Sequence, residues 1–247
     1  MYNYCAPEQL LKDRVLLVTG AGDGIGKAAA KRYAEYGATV ILLGKTIEKL
    51  ELVYDQIEQA GHPQPAIYPM NLEGASAKDF QDLQLTLDKE FGRLDGILHN
   101  AALLGVLTPI AQYDMEQWSK VMQVNLNAPY ILTRMCLPLL EKSPTSSVVF
   151  TTDEVGIKGK AYWGAYAISK AAVNNMMQIL ADEMETNTNI RFNCINPGKV
   201  ATTMRSKAYP GENPATLAKP EDIMNSYLYL MGDDSKELNG QIINAQS

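Results

Sequence analysis

Short β-branched apolar runs alternate with longer stretches of helical periodicity along the whole chain. Runs at 14–19 (RVLLVT), 39–43 (TVILL), 66–70, 95–98, 147–151, 191–195 (RFNCI) and 241–244 (QIIN) read as strands. Stretches at 26–36, 47–59, 77–91, 115–140, 163–185 and 221–231 read as helices between them. The strands are apolar almost without interruption, so both of their faces must be buried, as in a parallel sheet covered by helices. Strict alternation then predicts an α/β protein. It should be a doubly wound parallel sheet of about seven strands, with helices on both faces and a ligand crevice at the carboxyl ends of the strands. No Pro-, Gly- or Ser-rich linker divides the 247 residues, so a single domain over 1–247 is expected. After Pro197 the stretch 199–218 is the one long irregular segment, read as a loop that covers the substrate.

Acidic residues outnumber basic ones, 28 against 22, for a net charge of −6. That balance argues against nucleic acid as a main partner. Cys5, Cys136 and Cys194 are odd in number and widely spaced, so neither a disulfide framework nor a metal site is read. A reducing, cytoplasmic setting is expected. The first residues lack a basic region followed by an apolar stretch, so no secretory signal is read. No run approaches the roughly 18 apolar residues of a membrane span, so no membrane partner is expected.

Between the first strand and the first helix stands Thr19-Gly-Ala-Gly-Asp-Gly-Ile-Gly26. Gly20, Gly24 and Gly26 permit a tight turn and close backbone approach. The helix that follows offers unpaired N–H groups and a positive dipole end to a phosphate. The end of the next strand lies about 20 residues on, as a dinucleotide site requires. Gly20, Gly22, Asp23, Gly24, Ile25 and Gly26 are therefore expected to cradle a pyrophosphate. An acid closing the second strand would favour NAD through the ribose 2′-OH. Here that strand closes with Leu43-Gly44-Lys45. With no carboxylate at Gly44 and a cation at Lys45, a 2′-phosphate is attracted, and NADP(H) is predicted over NAD(H).

Further motifs follow in order: His99-Asn100-Ala101-Ala102, Asn125 in V-N-L-N-A, Tyr166 and Lys170 in Y-A-I-S-K, and Pro197-Gly198 with Thr202 beyond. With the glycine turn, these resemble the motifs of the short-chain dehydrogenase/reductase family over nearly the whole length. The segments GATVILLG, VMQVN, WGAY and YLMGDDS are similar to its YciK-like branch. The resemblance implies a Rossmann-type oxidoreductase that moves a hydride between a nicotinamide cofactor and a carbonyl or alcohol. It casts Tyr166 as acid/base, Lys170 as its partner and the holder of the nicotinamide ribose, and Asn125 as an assisting residue. It places Asn71, where the family has an aspartate, with Leu72 near the adenine. Asn100 goes to the adenine-side ribose and central turn, Ala101 and Ala102 against the cofactor, and Pro197, Gly198, Val200 and Thr202 at the nicotinamide. His99 reads as structural.

The pair also makes sense without the family. Tyr166 and Lys170 lie four apart on a helix and share a face. A phenol of pKa about 10 is a poor base at neutral pH, and an adjacent ammonium should lower that value. The tyrosine could then exchange a proton with a substrate oxygen.

One departure matters. The family places a hydrogen-bond-donating serine thirteen residues before the tyrosine, where this chain has Asp153, within Thr151-Thr152-Asp153-Glu154. An ionised aspartate can only accept. It would repel a developing alkoxide and raise the pKa of Tyr166. A lost oxyanion donor costs on the order of 10²–10³ in rate. Three readings stay open: a one-residue shift that puts the Thr152 hydroxyl in the serine's place, a protonated Asp153 that donates, or a dinucleotide-binding sensor that no longer reacts. Thr152, Asp153 and Glu154 are also similar to the Thr-Asp-Glu triple of nucleotide-sugar dehydratases. Those enzymes carry a substantial C-terminal domain, whereas only about 50 residues follow Pro197 here.

In 199–218, Met204, Tyr209 and Pro210 supply apolar contact and Arg205 and Lys207 supply charge, while Trp163 faces the crevice or the neighbouring helix. A medium-sized apolar carbonyl compound or alcohol is the expected substrate. Ala171, Ala172, Val173, Met176, Met177, Ile179 and Leu180 make the helix of Tyr166 too apolar for one buried face. The resemblance implies pairing through it, as a homodimer or homotetramer.

Overall fold

The computed structural model describes residues 4–246. Its first half runs β1 (Val15–Thr19), α1 (Gly24–Glu35), β2 (Thr39–Gly44), α2 (Ile47–Gln59), β3 (Ala66–Pro69), α3 (Ala77–Phe91) and β4 (Gly96–His99). The chain continues through α4 (Met115–Met122), α5 (Ala128–Leu140), β5 (Ser146–Thr151), α6 (Gly164–Met184) and β6 (Ile190–Asn196). It ends with α7 (Thr203–Ala208), α8 (Met224–Met231) and β7 (Ile242–Asn244).

All strand pairs are parallel, in the order β3-β2-β1-β4-β5-β6-β7. The order reverses between β1 and β4, and the crevice opens at that switch point. Apolar side chains on both faces of the strands make this possible. On one face α1 and α8 pack through Ala29, Ala30, Tyr33, Tyr227 and Leu228. On the other, α3, α5 and α6 pack through Phe80, Leu83, Leu132, Cys136, Val173 and Met177. The alanines of α1 leave no bulk between helix and sheet, so the glycine turn at its start lies close to the strand ends. Local signals set the helix ends. Ser76 and Asp79 form a reciprocal capping box on α3, and Gly92 ends it in the left-handed conformation.

Three readings need correction. The stretch 115–140 is broken by a π-helical turn, Gln123–Asn127, between α4 and α5. One inserted residue there re-aims Asn125 without ending the helix. The segment 199–218 is not wholly irregular. It holds α7 and a short 3-10 turn, Pro214–Thr216, and Val200 bridges Ala218 in parallel. A second irregular stretch runs over 100–109, where the apolar sequence hides the lack of regular structure.

On α6, Val173, Met177 and Ala181 are buried, whereas Ile168 and Ile179 are exposed. Among the described residues, no helix is long and apolar enough to cross a membrane.

Candidate active site

A crevice of about 1020 Å³ crosses the carboxyl ends of the strands. It starts at Gly44 and Lys45, passes the glycine turn, and ends between Tyr166 and the 199–218 segment. Gly20, Gly22, Asp23, Gly24, Ile25, Asn71, Leu72, Asn100, Ala101, Ala102, Pro197, Gly198, Val200 and Thr202 line it.

The turn fits a dinucleotide phosphate. Gly20 and Gly24 have φ of +68° and +50°, which only glycine adopts without strain. A Cβ on Gly20 would stand 3.0 Å from Ala101 Cα, and one on Gly24 would stand 3.4 Å from Thr202 Cγ2. Bare backbone therefore faces the crevice at the start of a twelve-residue helix. Thr19 holds the opposite wall, its hydroxyl accepting from the N–H groups of Asn100 (3.0 Å) and Ala101 (3.1 Å).

Gly26 does not line the crevice. A Cβ there would fall 2.2 Å from the Gly20 carbonyl oxygen and 2.7 Å from Asn100 Nδ2. Its role is close packing of helix on turn, not contact with a ligand.

At the other end, α6 presents Tyr166 and Lys170 on one face. Tyr166 Oη donates to Asp153 Oδ2 at 3.3 Å, and Asp153 Oδ1 accepts the Val155 N–H at 3.1 Å. Lys170 Nζ donates to the Thr151 carbonyl at 2.7 Å and lies 5.6 Å from the centre of the Tyr166 ring. Burial, and then the Asp153 carboxylate, push the Tyr166 phenol well above its ordinary range. Burial brings Lys170 down to about 8, against an opposing pull from Asp153. The expectation that the ammonium lowers the tyrosine's pKa is therefore corrected. Desolvation, first, and the facing carboxylate set the direction of the shift.

The competing readings of this corner separate on geometry. Thr152 Oγ1 is enclosed and has no hydrogen-bond partner among the described residues, while its N–H donates to the Ile195 carbonyl at 2.8 Å. Asp153 meets the Tyr166 hydroxyl, while Thr152, its hydroxyl enclosed, also borders the crevice. The one-residue shift would need the Thr152 hydroxyl at Tyr166, where Asp153 stands. Asp153 faces the Tyr166 hydroxyl with Oδ2 and the Val155 N–H with Oδ1. Glu154 is exposed and does not line the crevice, so the dehydratase-like triple does not converge.

Asn125 is buried away from the crevice. Its Oδ1 accepts from Leu103 N at 2.7 Å, and its Nδ2 donates to Leu103 O at 2.9 Å and Ser169 Oγ at 3.0 Å. It positions the 100–109 segment against α6. His99 is also internal, stacked on Phe150 at 4.8 Å and bonded to Thr133, and burial lowers its pKa to about 3. It stays neutral and structural.

Residues 14–213 match the family described as short chain dehydrogenase. The chain belongs to the short-chain dehydrogenase family. The oxidoreductase YciK of Escherichia coli (strain K12) is 48% identical over 244 residues, covering 99% of this chain and 96% of its own length. A short chain dehydrogenase structure from Pseudomonas syringae superposes with a TM-score of 0.98 at 54% identity, covering 100% of both chains. One from Escherichia coli CFT073, complexed with NADPH, gives 0.94 at 50% identity, covering 98% of this chain and 100% of that one.

In this short-chain dehydrogenase, the sequence reading missed several crevice residues. Lys49, in the first turn of α2, lines the crevice near Lys45 and pairs with Asp23 at 2.6 Å. That contact and the Gly24 N–H keep the Asp23 carboxyl below its ordinary range, with burial opposing them. Only its charge, four residues beyond Lys45, could have flagged Lys49. Leu104, Val106 and Leu107 line the crevice toward Tyr166, and no motif marks them. The 199–218 segment does reach that end: Met204, Ala208 and Tyr209 pack on Val155, Trp163 and Tyr166.

Proposed function

We propose that this chain is an NADP(H)-dependent reductase of carbonyl compounds in which Tyr166 gives a proton to the substrate oxygen. The observation that carries the reading is the Tyr166 hydroxyl at the crevice wall, with Lys170 beneath it and the glycine turn at the far end. NADPH in the Escherichia coli CFT073 structure, at 50% identity, supports the choice of dinucleotide, as does Lys45 at the end of β2.

When bound, the dinucleotide supplies the hydride. The chain's own residues do the rest. Gly20, Gly22, Gly24 and Ile25 hold the pyrophosphate through backbone N–H groups and the dipole of α1. Asp23, paired with Lys49, fixes the helix start. Lys45 takes the 2′-phosphate, Asn71 and Leu72 flank the adenine, and Asn100, Ala101 and Ala102 back the ribose. Pro197, Gly198, Val200 and Thr202 orient the nicotinamide. Tyr166 keeps its proton at neutral pH, as a donor must, and releases it to an oxygen that becomes more basic as the carbonyl is reduced. The Lys170 ammonium offsets the phenolate left behind. The open side chains Ile168 and Ile179 on α6 support assembly as a homodimer or homotetramer.

Two outcomes follow. Lys45→Asp is expected to shift the ratio of NADPH to NADH dissociation constants toward NADH by about 10–100-fold, measured by titration. Tighter binding of NADH than NADPH by the native chain would remove the role given to Lys45. The rate of reduction is expected to fall as pH rises through about 8, because Lys170 then loses the charge that stabilises the phenolate. A profile flat from neutrality to about two units higher would exclude that role.

A second reading, a dinucleotide-binding protein without turnover, is favoured by Asp153 in the serine's place, since a carboxylate does not donate to a substrate oxygen. Consumption of NADPH with a panel of aldehydes and ketones decides between the two. Binding without consumption favours the second.

A further inference from the structure

We propose that Asp153 adapts this site to carbon–nitrogen double bonds, with a protonated imine as the preferred substrate class. The proposal rests on the reductase reading and narrows its substrate.

The first ground is a crevice carboxylate that feels Lys170 and Arg205 but makes no direct ion pair among the described residues. Asp153 faces the crevice and takes hydrogen bonds only from Tyr166 and a backbone N–H. Among the described residues it has no salt-bridge partner. The nearby Arg205, by contrast, is matched by Glu212 through bonds of 2.6 and 2.7 Å.

The second ground is the surrounding surface. Trp163 lies 5.7 Å from both Tyr166 and Tyr209, ring centre to ring centre, and Val155, Leu104, Leu107 and Met204 complete an apolar cluster. These rings already carry cations. Lys160 Nζ lies 5.3 Å from the centre of Tyr209 and 5.9 Å from that of Trp163, and Arg205 Cζ lies 3.8 Å from that of Tyr209. Lys170, Arg205 and Lys207 also border this end of the crevice, but Lys170 is held on the Thr151 carbonyl and Arg205 on Glu212, which leaves Asp153 among aromatic and alkyl walls as the group that would meet an organic cation.

The third ground is the charge change in the reaction. Hydride arriving at a ketone makes its oxygen anionic, which Asp153 opposes. A neutral imine is a weak electrophile. A carboxylate beside its nitrogen favours the protonated form, and hydride addition then discharges a cation instead of creating an anion. In balance, the imine nitrogen takes a proton from Tyr166 Oη. The hydride pair of the reduced dinucleotide forms the new C–H bond, and the π pair of C=N moves to nitrogen. Imine, proton and reduced dinucleotide become amine and oxidised dinucleotide, and Tyr166 regains its proton from solvent.

The test uses the full chain with NADPH, the cyclic imine dihydroisoquinoline, and tetralone, a ketone of the same size. The native protein is expected to favour the imine by about 100-fold in kcat/KM, and Asp153→Ser to reverse that order. Asp153→Asn, which keeps the shape and removes the charge, should lose the imine preference with NADPH affinity unchanged. An independent readout is calorimetric binding of the product amine, tetrahydroisoquinoline, against the neutral alcohol tetralol. The ammonium should bind the native chain about tenfold more tightly, and Asp153→Asn should erase the difference. A native preference for the ketone, or an imine preference or ammonium selectivity retained in Asp153→Asn, would overturn the proposal. Ketone turnover alone would sink it and leave the reductase reading intact. NADPH binding with neither substrate reduced would sink both.

Discussion

Tyr166→Phe is expected to lower turnover with any accepted substrate by about 10²–10⁴-fold, the contribution of a positioned proton donor. The ring should stay in place, because its packing on Trp163 and Val155 does not involve the hydroxyl. NADPH affinity is therefore expected to change by less than about threefold, a difference well under the tenfold of ~1.4 kcal/mol. The loss should fall on kcat and kcat/KM together, as it does when an interaction made only in the transition state is removed. Steady-state kinetics beside a dinucleotide titration checks both halves. An activity that survives the substitution would mean that the proton comes from elsewhere, and Tyr166 would lose its assigned role.

Gly26→Ala is expected to damage stability and cofactor binding together, although residue 26 lies outside the crevice. The added methyl would sit 2.2 Å from the Gly20 carbonyl oxygen, which belongs to rigid backbone. Helix α1 would have to move away from the turn, and overpacking of this kind costs about 1–3 kcal/mol. In a chain of this size that corresponds to a fall in Tm of roughly 2–12 °C. The same movement displaces the N–H groups that face the phosphate, so affinity for NADPH should drop about 10–100-fold. Thermal unfolding and titration on one preparation measure both. A variant with native Tm and native affinity would show that the close approach at Gly26 is not needed.

Much of the site was legible because short motifs impose their own local geometry. A strand, a glycine turn and a helix in succession can fold in few ways, so the turn at the crevice followed from Thr19 to Gly26. Tyr166 and Lys170 share a face because they are four apart on α6. Residues whose roles depend on distant neighbours were not legible in the same way. Asn125 reads as a site residue in its motif, yet the π turn at 123–127 directs its amide to Leu103 and Ser169. Lys49 carries no motif and reaches the crevice only because α2 lies beside the turn. The sign of the Tyr166 shift could not be read from Lys170 alone, because burial and Asp153 act in the opposite direction.

The sequence by itself determined the parallel sheet, its seven strands, the glycine turn and the tyrosine–lysine face. Each of these depends on residues close together in the chain and on the periods of helix and strand. Only the tertiary structure decided which of Thr152 and Asp153 meets Tyr166, and that Glu154 turns outward. That choice depends on the direction in which the chain leaves β5 relative to α6, which packing across the sheet sets. An alternation of side-chain directions is visible in a sequence, but its phase against another element is not.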